Sequence, residues 1–419
     1  MSTLEMASSG RPLSGPRSRL AETLWRIAAG ALIAMPVGMA IAHRSSPVFL
    51  VLSALCSLAA LAAEGNLHPF VRRVVAALRS PLGVTALVFA GWSLLSVGWS
   101  EFRGLSLAAL GEFWLPIACA FVVALALPRH LMRPAFGLLA GAIVAACFMM
   151  IIELRTGLAF RQMIGRRWNS FIFNRSLLTL LVLMPPLAIW LAVNLRRGWI
   201  YALALVAFVA AAMAHGESGA SALGLTVACS VFVLAWFAPR AVAGLAMGAF
   251  IAAMVAGPFI GPISDRLIPS FVHERLAKDH SRERVDIWIS FGAAIREQPI
   301  LGTGFGVSPR MRDTTVAEKV PEADRTLLAV GHPHNVAIQI WTELGVVGAA
   351  LALAIILLVV RAVRRQPRPI MSASFALMAA ATAVGLVGHG AWQGWWAASL
   401  GAAITWMLAA RKAFLERTP

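Results

Sequence analysis

Residues 332–343 read HPHNVAIQIWTE, which gathers two histidines, an asparagine, a glutamine and a glutamate at the start of an otherwise apolar run. A histidine near neutral pH can take a proton from a hydroxyl or return one. Pro333 keeps His332 out of the α region, so the spacing predicts a helix beginning at His334–Asn335. The unpaired N–H groups and positive dipole of such a helix start suit an anion. Gln339 and Glu343 lie four apart and share one face of that helix, and an ionisable group inside an apolar span is a functional suspect. His334 is therefore the candidate catalytic base. His332, Asn335, Gln339 and Glu343 are candidate substrate contacts around it.

A second constellation lies upstream. Residues 154–175, LRTGLAFRQMIGRRWNSFIFNR, carry Arg155, Arg161, Arg166, Arg167 and Arg175 and no acid. Guanidinium forks match phosphate oxygens two at a time, so Arg161, Arg166, Arg167 and Arg175 are candidate ligands for a phosphate or pyrophosphate. The competing use of such arginines is snorkelling onto lipid phosphates.

A third stretch, RERVDIWISFGAAIREQPILGTGFG at 282–306, places Arg284 and Trp288 on one helical face. Ile287, Phe291, Ala294 and Ile295 form its apolar side, and Gln298-Pro299 ends it. Gly302, Gly304 and Gly306 then permit a tight turn, for packing or for ligand contact. Without a preceding strand they make no dinucleotide fingerprint. GESGA at 216–220 is no nucleophile elbow. The two histidines lack an accompanying Asp/Glu/Cys set at ligand spacing, so neither a metal nor another cofactor is expected.

The elements that must hold these residues follow from composition. Of 419 residues, 59% are hydrophobic and 13% charged, against about half and a quarter in soluble domains. The surplus requires lipid, which implies an all-α polytopic membrane protein. Twelve apolar runs sit near 25–43, 47–63, 82–100, 107–127, 134–153, 176–195, 198–215, 218–237, 241–262, 338–360, 370–389 and 391–410. With residues 1–24 cytoplasmic, each loop on that side is short and basic, including Arg72, Arg73 and Arg79, Arg196 and Arg197, and Arg361, Arg364 and Arg365. The alternation returns the 411–419 tail to the cytoplasm. It puts both the arginine segment and the long 263–337 stretch, which should carry short helices, on the outer face. The net charge of +17 thus reflects basic loops on anionic lipid, not nucleic-acid binding. Cys56, Cys119, Cys147 and Cys229 all fall in apolar runs and read as small core residues.

In order along the chain, FNRSLLTLLVLMPPLAIWL (173–191), ESGASALGL (217–225), RVDIWISFGAAIREQPILGTGFG (284–306), HPHNVAIQIWTELGVVGA (332–349) and AWQGWW (391–396) resemble the O-antigen ligase and polymerase superfamily of bacterial envelope glycosyltransferases. The last of these resembles the ligase-like branch. The resemblance implies transfer of a polysaccharide from undecaprenyl pyrophosphate to a sugar hydroxyl of lipid A–core, at the periplasmic face of the inner membrane, without metal or nucleotide. His334 matches the family's loop histidine, held to activate the acceptor. Arg284 matches the arginine before tryptophan, and Arg175 with Arg166 or Arg167 would hold phosphate. Where many relatives read Ser-Arg-Gly, this chain has Ser218-Gly219-Ala220. That phosphate role must then pass to the 161–175 arginines or be lost. A polymerase of the same superfamily is the nearest alternative. A lipid-linked glycan transporter is a more distant one, because Pro185-Pro186 has no counterpart suggesting an inverted repeat.

Overall fold

The computed structural model describes residues 19–163, 165, 169–275 and 280–416. Among them there is no strand. The first half runs through α1 (Arg19–Ile41), α2 (Ser46–Ala63), α3 (Leu67–Leu78), α4 (Pro81–Leu95), α5 (Arg103–Ala126), α6 (Arg129–Arg155), short α7 (Ala159–Met163), α8 (Asn174–Asn194), α9 (Gly198–His215), α10 (Gly219–Phe237) and α11 (Pro239–Val255). Five shorter helices follow: α12 (Ile260–Leu267), α13 (Ser270–Arg275), α14 (Ser281–Glu297), α15 (Thr315–Lys319) and α16 (Glu322–Arg325). Three long ones close the chain: α17 (Val336–Val363), α18 (Arg368–Val387) and α19 (Gly394–Leu415).

Every one of the twelve apolar runs is a helix, but not every helix meets the requirements of a span. Among the described residues ten are long and apolar enough to cross a membrane. An eleventh follows if α11 and the Gly257–Leu267 segment, bent by 63°, count as one. The ninth run, expected to reach residue 262, stops at Val255 because Gly257-Pro258 breaks the ladder there. The last run falls short because α19 carries Trp395, Trp396 and Trp406 along with glycine, serine and a basic end. Its physical excuse is its position. Trp395, Trp396, Ser399, Ala402, Ala403 and Trp406 are all buried among other helices, so lipid does not have to solvate them.

The bundle is organised around α8, which is buried without interruption from Ser176 to Leu187. It packs against α9, α18 and α19, with α1, α2, α5 and α6 completing the main apolar core. A second cluster joins Phe89, Leu110, Phe305, Leu344 and Trp392 around α17. A third lies beneath the short helices, where Phe291 and Ile295 of α14 meet Met311, Val316, Leu328 and Ile338. The residues expected on the apolar side of α14, Ile287, Phe291, Ala294 and Ile295, are buried, and the helix ends at Gln298 as its Gln-Pro pair requires.

Candidate active site

The site is built on a broken helix. At Gly345 the backbone of α17 leaves helical geometry (φ 63°, ψ −164°), which frees carbonyls that the glycine turn then uses. Thr303 N–H donates to the Thr342 carbonyl (2.9 Å) and Gly304 N–H to that of Glu343 (2.8 Å). The Trp92 indole donates to Leu344 (3.0 Å), and Val346 N–H donates back to the Pro299 carbonyl (2.9 Å). Side chains are shut out of this contact. A Cβ on Gly345 would stand 2.1 Å from the Ile300 oxygen, and one on Gly302 2.4 Å from the Glu343 carbonyl carbon. Of the two uses open to the glycine turn, the structure therefore adopts packing.

Glu343 is the hub of that junction. Fully buried, its carboxylate accepts from the Gly306 N–H, the Ser308 N–H (3.2 Å), the Ser308 hydroxyl (2.5 Å), the Gln339 amide (3.0 Å) and the Trp392 indole (2.6 Å). Gln339 in turn accepts from Ala391 N–H at 2.8 Å. Asn335 is the N-cap of α17, accepting from Ala337 N–H (3.0 Å) and Ile338 N–H (3.2 Å). All three side chains are buried with protein partners. Sequence reasoning made Asn335, Gln339 and Glu343 substrate contacts. In the structure all three hydrogen-bond within the chain behind the mouth of the helix, as the apolar interior obliges buried polar groups to do.

The mouth itself holds the histidines. Trp288 donates from its indole to the Pro333 carbonyl (2.9 Å), tying α14, and with it Arg284, to the loop. His334 takes a left-handed conformation (φ 51°), and its backbone N–H reaches His332 Nδ1 at 3.3 Å. The two rings lie 4.1 Å apart, centroid to centroid. His334 Nδ1 sits 2.9 Å from the Gly388 carbonyl. A carbonyl can only accept, so Nδ1 carries the hydrogen and the neutral ring keeps its lone pair on Nε2. Burial pushes the His334 pKa below the usual range; the Gly388 bond opposes this and the nearby Arg284 reinforces it. His332 is pushed further, to about 3, by burial and by its two histidine neighbours, His334 and His389.

The arginine segment meets these residues from the other side. Arg175, half-buried at the start of α8, stacks its guanidinium 5.5 Å above the Trp395 ring. Arg161 has a different occupation. It is 6% exposed and donates to the Ala40 and Ile41 carbonyls, both at 3.0 Å, closing the C-terminal end of α1. It also lies 4.8 Å over Phe173 and 4.0 Å from the Glu153 carboxylate. Arg166 and Arg167 lie outside the described residues.

Three groups that sequence reasoning left out of the candidate site lie next to these residues. His43 and Arg44 occupy the turn between α1 and α2, where burial, then Arg175, Arg44 and Arg161, hold the His43 pKa down at about 4. His389, in the turn between α18 and α19, is lowered to about 4 by burial, with Arg175 and His334 acting in the same direction. It therefore lies between the arginine side and the histidine side. The available signal was topological, since the 42–45 and 388–393 turns fall on the same face as the arginine segment once the basic loops are set inside.

Comparison with known proteins agrees with the motifs. Residues 203–353 match the family model described as O-antigen ligase. That stretch runs from α9 into α17 and contains Arg284, His332 and His334. The chain is 24% identical over 329 residues to the "Putative polysaccharide ligase" of Rickettsia bellii, covering 75% of this chain and 77% of that protein. To the protein of the same name in Rickettsia felis it is 22% identical over 320 residues, again covering 75% of this chain and 77% of the relative. Residues 203–353 thus carry the O-antigen ligase signature within a multi-pass, all-α membrane protein.

Proposed function

We propose that this protein is an O-antigen ligase-like glycosyltransferase of the bacterial inner membrane. In this reading it moves a polysaccharide from undecaprenyl pyrophosphate to a sugar hydroxyl of lipid A–core, with its site facing the periplasm and both termini in the cytoplasm. The observation that carries it is His334: Nδ1 tied to Gly388, Nε2 left as a neutral base, and Arg284 and Arg175 disposed around the same mouth.

The chemistry then follows from the residues. His334 Nε2 accepts the proton of the acceptor hydroxyl as its oxygen bonds to the anomeric carbon of the donor glycan. The bond from that carbon to the pyrophosphate oxygen breaks, and the electron pair leaves with undecaprenyl pyrophosphate. Arg175, with Arg44 beside it and Arg166 and Arg167 on the same segment, supplies the positive field for the pyrophosphate. Burial, reinforced by Arg284, keeps the imidazole unprotonated before attack, and Arg284 balances phosphate charge as the bond opens. The proton on His334 returns to solvent with the leaving group. The donor brings its own bond energy and the guanidiniums bring the positive charge, so the rate should be unchanged after dialysis against EDTA.

The test is lipopolysaccharide banding from cells lacking the gene, complemented with wild type or His334→Ala. Core-only lipid A with long polymer held on undecaprenyl pyrophosphate supports a ligase. Core capped with a single repeat would indicate a polymerase, and an unchanged ladder would remove the assignment.

A further inference from the structure

We propose that His389 is a positioning residue for His334: its ring pins the turn whose Gly388 carbonyl fixes the His334 tautomer. The inference rests on the reading of His334 as the base. The turn from Gly388 to Ala391 links α18 to α19 and needs holding, since glycines flank His389 on both sides and leave the backbone soft. One side is fastened by Ala391 N–H donating to Gln339 (2.8 Å). The other is fastened by His389. Its ring lies edge-on to Trp395 (4.8 Å) and Trp396 (5.0 Å), and its Nδ1 sits 2.9 Å from the Gly390 carbonyl. That carbonyl can only accept, so Nδ1 carries the hydrogen.

The other ring nitrogen makes the case for an imidazole. His389 is 9% exposed, and its Nε2 is buried with no protein partner. A buried polar atom without a hydrogen bond is destabilising. A phenyl ring would fill the space between the tryptophans without that penalty. What the imidazole provides and a phenyl cannot is the Nδ1–H bond to Gly390. The turn so held presents Gly388 to His334 Nδ1 at 2.9 Å and brings Gly390 against the His332 ring, where a Cβ would meet His332 carbons at 3.4 Å. The charged and titratable groups around the pair are Arg175 from α8, Arg284 from α14 and His332.

The experiment compares wild type, His389→Asn, His389→Gln and His389→Phe, purified in nanodiscs, using a defined lipid-linked glycan donor and lipid A–core. Asparagine places its amide nitrogen near Nδ1, whereas glutamine places it near Nε2. His389→Phe and His389→Gln should lower kcat by about 10²-fold with the donor KM unchanged, and His389→Asn should recover most of the loss. Loosening the Gly388 bond removes the contact that raises the His334 pKa, so the acid limb of the rate profile should move to lower pH in the Phe variant. Wild-type kcat and an unmoved limb in His389→Phe would overturn the proposal, as would an Asn variant no better than Phe. Nitrogen NMR of ¹⁵N-histidine protein reads the tautomer independently of turnover. His334 should carry its proton on Nδ1 in wild type and become mixed in the Phe variant, and an unchanged His334 signal would refute the positioning role. If His334→Ala itself retains activity, the base reading fails instead, and the NMR result alone decides the role of His389.

Discussion

The polar residues around the start of α17 fall into two groups that the chain sets a few residues apart and the fold uses differently. Inside, Asn335, Gln339 and Glu343 are buried and bonded to the chain itself. At the mouth, His332 and His334 are half-buried beside Arg284, with Arg175 and His389 completing the ring. The inner group closes the break at Gly345 and locks three distant segments together. The outer group leaves the second ring nitrogen of His334 free of the Gly388 bond and sets cationic side chains near it. Burial separates the inner side chains from His332 and His334: an interior carboxylate must be satisfied by protein, whereas a half-buried ring can leave one nitrogen open.

The comparison can be broken by moving activity and stability independently. His334→Ala should reduce transfer by about 10²–10⁴-fold, measured as product per enzyme, while thermal unfolding stays at the wild-type temperature. Glu343→Ala should do the reverse. Removing the acceptor of five hydrogen bonds leaves buried donors unpaired and should cost on the order of 3–5 kcal/mol, read as loss of monodisperse protein on gentle heating. A stable, inactive Glu343→Ala would move that residue into the chemistry.

The arginines sharpen the same contrast at smaller scale. Arg175→Ala should raise the donor KM roughly tenfold or more, the loss of about one charge-assisted hydrogen bond, with little change in unfolding. Arg161→Ala should chiefly lower the unfolding temperature, because its two carbonyl contacts cap α1. Asn335→Ala removes a helix N-cap and should cost about 0.5–2 kcal/mol, measurable by thermal unfolding with kcat retained. The smallest effect is expected from pH. A base works unprotonated, and burial lowers the His334 pKa. The rate should therefore be level from about pH 6.5, the ordinary histidine value, up to 8 and fall only on further acidification.

The spans were legible because lipid demands long apolar helices, and α1, α2, α4, α5, α6, α9 and α10 answer that demand by length and composition. α19 shows the limit: its tryptophans make it too polar for a lipid-facing span, and only the surrounding helices explain it. His334 and Arg284 became candidates through residue type and spacing, and the start of α17 was legible within a residue or two. The role of Glu343 was not, because four of its five hydrogen bonds come from Gly306, Ser308 and Trp392, tens of residues away. The contacts of Arg161 were hidden for a related reason. An unopposed arginine in a loop looks available until the carbonyls at the end of α1 are seen beside it. His43 and His389 are isolated histidines in short turns, and only the meeting of four connections at one end of the bundle gives them a neighbourhood.

The most direct test is a single-turnover assay of His334→Ala, reconstituted in bilayers with radiolabelled lipid-linked glycan and lipid A–core, scoring donor bound and glycan transferred in the same sample. The account predicts donor retained at wild-type occupancy and no transferred glycan. Transfer at the wild-type rate would contradict it.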